Sequence, residues 1–175
     1  MKHIYKLFAM LVAVMLVAAC TENNTNVTAE EMTIQELAKT PGFTWIPIRI
    51  SEYTIDNDSI ITGIKANYNP ELHSFIIFAK PSCSCEGKHN QTPEFLKTLE
   101  VAGIPFDKCE IFSVTGTNNK HPYQDKITLT ELPTILVMKA NEPVFSVSET
   151  INNINATNPK AGITVEGALL LGLEK

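Results

Sequence analysis

Two cysteines with one residue between them, Cys83-Ser84-Cys85, are the part of this 175-residue chain best suited to chemistry. A disulfide closed across a single intervening residue is a small, strained ring. Strain raises the reduction potential and makes the bond labile. Such a pair suits thiol–disulfide exchange or redox sensing better than permanent cross-linking. Lys80 and Lys88 stand near it in sequence, and a neighbouring ammonium favours the thiolate, which is the nucleophile. Past the pair, Thr92-Pro93-Glu94 supplies an N-cap, a proline and a first-turn acid, and so predicts a helix start. A helix beginning there leaves the cysteines on a loop, beyond the help of its dipole.

Two other readings of the pair stay open. In one, Cys83 and Cys85 form a structural disulfide that only stiffens a loop. In the other they bind a metal with His89, and more distantly His121; thiolate and imidazole together select copper(I) or zinc. The spacing is closer than in known zinc pairs, and the preferred reading involves no metal and no cofactor. Cys109 opens a strand expected to run parallel to the one before the pair. At ~3.3 Å per residue, that strand separates Cys109 from the pair by some 15 Å, beyond the ~7 Å Cα reach of a disulfide. Cys109 is therefore expected to be a lone core residue, with a resolving role the lesser alternative. Trp45 is expected to pack on an edge strand, His73 to sit in a surface turn and His121 to be solvated in a polar loop.

The elements that must position the pair are legible around it. Ser74 to Ala79 is apolar on both faces, as in a buried central strand. Phe95, Leu96, Leu99 and Ala102 form the inner stripe of the helix behind the pair, and Gly103 ends it. Cys109 to Val114 is the next strand. A polar connection then leads to Leu132-Pro133-Thr134, a strand over 135–138, a turn over 140–143 and a strand over 144–147. Upstream, Thr33 and Glu36 predict a capping box and a helix over 34–39. Phe43 to Ile50 is expected to be an edge strand because it contains Pro47. Asp56 or Asp58 is expected to cap a helix bearing Ile60, Ile61 and Ile64. Asn152 to Pro159 is expected to be a surface loop, and Thr164 to Leu173 a closing helix.

A hydrophobic strand opening into a cysteine motif, a helix behind it, and a proline starting a hairpin about fifty residues later resemble the thioredoxin fold. The run from Phe75 to Val147 carries the likeness. It implies a cis Leu132-Pro133 bond facing the cysteines, with Leu132, Pro133 and Thr134 binding an extended substrate segment through main-chain hydrogen bonds. The family usually has two residues between its cysteines. Aligning Ala79 with the usual alanine puts Ser82 at the first cysteine position and Cys85 at the second, and displaces Cys83.

The N-terminus carries a separate signal. Lys2, His3 and Lys6 precede an uncharged stretch, Leu7 to Ala19, too short to span a bilayer and suited to a secretory signal. Val17-Ala18-Ala19-Cys20 resembles the lipobox of bacterial lipoproteins, with Val17 where Leu is more usual. The resemblance implies cleavage before Cys20 and acyl chains, palmitate among them, on that cysteine. Cleavage leaves 156 residues, one domain of ordinary size, and moves the net charge from −5 to −7. That acidic balance argues against nucleic acid and against an electrostatic membrane patch.

The expectation is a signal peptide over 1–19, a lipidated Cys20 with a flexible spacer over 20–32, and a thioredoxin-like α/β domain over 33–175. Its central mixed sheet is expected to be flanked by helices on both faces. The chain is expected to be a monomer of the cell envelope, held outside the cytoplasm by its lipid. Its expected partners are exported protein thiols or disulfides, with Cys83 and Cys85 as catalytic residues.

Overall fold

A computed structural model describes residues 27–82, 90–159 and 162–175. Within them lie five strands and six α-helices: β1 Glu30–Met32, α1 Ile34–Leu37, α2 Ile46–Glu52, α3 Asp58–Asn67, β2 His73–Ala79, α4 Gln91–Ala102, β3 Cys109–Ser113, β4 Thr134–Lys139, β5 Glu142–Ser146, α5 Val147–Thr157 and α6 Val165–Leu173. The strands form one mixed sheet in the order β1-β3-β2-β4-β5. β2 and β3 are parallel, and every other neighbouring pair is antiparallel.

The central place of β2 follows from its composition. HSFIIFA is buried along nearly its whole length, so neither face needs water. Its side chains alternate between two hydrophobic clusters. Phe75, Ile77 and Ala79 join the first with Ile111, Ile135 and Val137. Ile76 and Phe78 join the second with Phe112, Leu136 and Met138. Each fully buried Phe or Ile contributes roughly 1.5–3 kcal/mol.

The buried apolar residues of all six helices lie in the first cluster. The second face is covered by the connection over 114–133, through Val114, Tyr123, Ile127, Leu129 and Leu132. The expected helices on both faces are therefore corrected to helices on one. The connection is too polar and turn-rich for a 3.6-residue stripe, yet its scattered apolar residues suffice to dry the sheet.

Four further expectations change. The segment over 43–50 is not an edge strand: it enters α2, with Pro47 in the first turn. Proline lacks an N–H, and a helix asks for none there. Asn152 to Pro159 is mostly helix, since Val147, Ile151 and Ile154 recur at helical spacing and the asparagines occupy its wetter sides. The expected spacer overlaps the sheet: Met32 is buried in the core and Ala29 N donates to Lys120 O at 2.7 Å. The α3 cap is neither aspartate but Asn57, whose Oδ1 accepts from Ile60 N at 3.2 Å.

The Thr33–Glu36 capping box forms in both directions. α4 starts at Gln91, one residue ahead of its expected cap, and Gly103 closes it at φ +70°. Ala140 and Asn141, both at positive φ, make the tight turn of the β4–β5 hairpin.

Candidate functional site

Cys20, Cys83, Cys85, Lys88 and His89 lie outside the described residues. The surroundings from which the cysteine segment departs are described on both sides of it.

The segment leaves the C-terminal end of β2. Phe78 is the register partner of Thr134, so Pro133 stands at the end of the ladder beside Ala79. The Leu132–Pro133 peptide is cis. Pro133 and Thr134 are buried, and Leu132 packs against the second cluster. Thr134 Oγ1 donates to Glu131 O at 2.6 Å, and Ile135 N donates to Ser148 Oγ at 3.1 Å. With these side chains turned inward, main chain is what this turn can offer a partner.

On the other side, α4 is tied to the same turn. Gln91 Nε2 donates to Asn152 Oδ1 at 3.1 Å, and Asn152 Nδ2 donates to both oxygens of Glu131 at 2.8 Å. The helix following the cysteines and the turn preceding β4 are thus linked through α5. Nothing local announces this relay, because its members lie 61 and 21 residues apart.

The foot of the segment is held by residues from the N-terminal third. Ser82 N donates to Gly42 O at 3.0 Å, and Trp45 Nε1 donates to both Gly42 O and Ser82 O at 3.0 Å. Trp45 is therefore more than packing, and it sits at the start of α2 rather than on a strand. Lys80 is exposed at the end of β2.

The first turn of α4 carries the main electrostatic feature. Glu94 is pushed up to about 7 by burial and then by the negative charge of Glu166, against the pull of Arg49. Glu166, 5% exposed, accepts a hydrogen bond of 3.0 Å from Tyr53 Oη. Burial and Glu166 push the Tyr53 phenol above its usual range. The sequence holds no short-range sign of this cluster, since its members come from α2, α4 and α6.

Both histidines differ from expectation. His73 is 5% exposed and lies on β2, its Nδ1 accepting from Asn69 N at 3.0 Å. His121 is 7% exposed, with its ring centroid 4.7 Å from that of Phe78. Burial lowers the pKa of both, which favours the neutral form. Neither position is a solvated loop, because a neutral imidazole packs on aromatic surface readily. Cys109 pairs with Phe75 while Ser113 pairs with Ala79, so it sits at the opposite end of β3 from the cysteine segment. Burial, then Glu110, pushes its thiol far up.

Among the described residues, no helix is long and apolar enough to cross a membrane, and no three His, Cys, Asp or Glu residues cluster to hold a metal ion. The chain matches no family model, no curated protein and no solved structure.

Proposed function

We propose that this chain is a thioredoxin-like lipoprotein of the cell envelope, anchored by lipid on Cys20, that exchanges thiols and disulfides with exported proteins through Cys83 and Cys85. The observation that supports it most is the adjacency of β2's C-terminal end to the cis Leu132–Pro133 turn. The chain that leaves that strand toward the cysteines starts beside main chain able to hold an extended partner.

In the oxidising direction, a partner thiolate attacks the sulfur of Cys83. A mixed disulfide forms and Cys85 leaves as a thiolate. The partner's second thiolate then attacks the mixed disulfide, closing the partner's own disulfide and releasing the Cys83 thiolate. The partner loses two electrons and the pair gains them. Run backwards, the same steps reduce a partner. Strain in the one-residue ring favours the oxidising or isomerising direction.

A titration against glutathione tests this, with Cys83 and Cys85 read by alkylation and mass spectrometry. A reversible couple between roughly −230 and −120 mV supports exchange. A bond resisting reduction below about −300 mV makes the pair a structural cross-link, and thiols that never pair defeat the reading. Lipidation is tested separately: labelled palmitate incorporated by the wild type should be absent from Cys20→Ala.

A further inference from the structure

Among the described residues, three clefts share Tyr53 as a wall; Glu94 lines two of them and Glu166 the third. The cleft between α4, α5 and α6 has a volume of about 400 Å³, within the range of small-ligand sites. Ile151, Ile163 and Val165 give it an apolar side, and Gln91 and Glu94 a polar one. Its polar groups accept rather than donate. The Tyr53 phenol donates its single proton to Glu166 Oε2 at 3.0 Å and keeps only lone pairs. Gln91, 6% exposed, donates from Nε2 to Asn152, while its Oε1 is buried with no partner. Glu94 adds a carboxylate whose negative charge faces that of Glu166. Arg49, the cation that offsets Glu94 among the described residues, already lies 3.0 Å from Glu52.

We infer that this cleft binds a small aliphatic primary amine, its ammonium held by Glu94 and Gln91 Oε1 and its chain laid on Ile151, Ile163 and Val165. The inference is independent of the exchange reading above. An ammonium carries three donors and no acceptor, which is the complement of this lining. A buried carbonyl oxygen without a partner costs free energy, and so do two carboxylates held close together; one cation relieves both. A metal ion fits less well. Calcium takes roughly six to eight oxygens, and among the described residues no three His, Cys, Asp or Glu side chains converge. A bare ion would also leave the apolar side of the cleft uncovered.

The test is isothermal titration of 1,4-diaminobutane into the full chain in detergent at about pH 8, above the Glu94 pKa of about 7. The uncharged 1,4-butanediol, with the same carbon chain, and calcium chloride are titrated alongside. The expected result is saturable heat at a single site for the diamine and none for the diol. Glu94→Gln, which keeps the shape of the side chain and removes its charge, should weaken diamine binding about tenfold or more, the loss of a charge-assisted hydrogen bond. Glu71→Gln removes an exposed charge just before β2 and should leave binding within about twofold of wild type. Weakening of less than about threefold by Glu94→Gln, or equal weakening by Glu71→Gln, reduces the effect to the chain's net negative charge and overturns the inference. A diamine without saturable heat, or a diol that binds as well, also overturns it. Calcium that displaces the diamine makes the cleft a metal site and overturns it too.

Discussion

Asn152 on α5 presents its Nδ2 to both carboxylate oxygens of Glu131, 2.8 Å from each, while its Oδ1 accepts from Gln91 on α4. One amide therefore joins the helix behind the cysteine segment to the residue preceding Leu132–Pro133. Asn152→Ala leaves a half-buried carboxylate and the buried Gln91 amide short of partners. The expected loss is about 1–3 kcal/mol in urea unfolding. Loss below ~0.5 kcal/mol would mean that water replaces the relay.

Glu94 gives stability a pH dependence with a definite sign. Its folded pKa of about 7 lies above the usual 4.5, raised by burial and Glu166 and opposed by Arg49. The folded state then binds more protons than the unfolded state between those values, so stability falls as pH rises from 4.5 to 7. Below that window the cost is absent, and above it the cost is complete. Glu94→Gln is expected to flatten this fall and to raise the urea midpoint at about pH 8 relative to wild type. Parallel pH profiles for the two proteins would exclude Glu94 as the source.

Gly42 and Gly103 both hold positive φ but differ in what surrounds them. A Cβ at Gly103 meets nothing within 4 Å, whereas at Gly42 it strikes Pro81. Gly103→Ala should cost only the left-handed backbone term, ~1 kcal/mol. Gly42→Ala adds a clash against backbone and should cost about 2–4 kcal/mol. Equal denaturation midpoints for the two variants would contradict the close approach of residues 42 and 81.

Cys109 is expected to be slow toward iodoacetamide at about pH 8 in the native chain and fast in urea, because burial raises its thiol and the thiolate is the reactive form. Cys109→Ala should leave the Cys83–Cys85 equilibrium with glutathione unchanged. A displaced equilibrium would assign Cys109 a resolving role despite its place at the far end of β3.

The local signals in the sequence were those that act within a few residues. Thr33 with Glu36, Gly103 after the Phe95–Leu99 stripe, the doubly apolar β2 and the Thr164 cap each determine an element through bonds or periodicity contained in that element. The single-residue spacing of Cys83 and Cys85, and the chemistry it suggests, is likewise a property of the sequence alone. Pro47 was ambiguous because a missing N–H suits an edge strand and a first helical turn equally; the packing of Ile46 into the core chose the helix.

What surrounds the cysteine segment was decided only by tertiary structure. The Trp45–Ser82 latch, the Asn152–Glu131 relay and the Glu94–Glu166 repulsion each join groups dozens of residues apart. Their existence depends on how helices stack on the sheet, which no local spacing encodes. The burial of His73 and His121 has the same origin. A side chain's exposure is set by what folds over it: His73 lies on the helix-covered face of β2 with Phe75, whereas His121 packs on Phe78 over the second face, whose cover is an irregular connection with few apolar residues and no periodic signature.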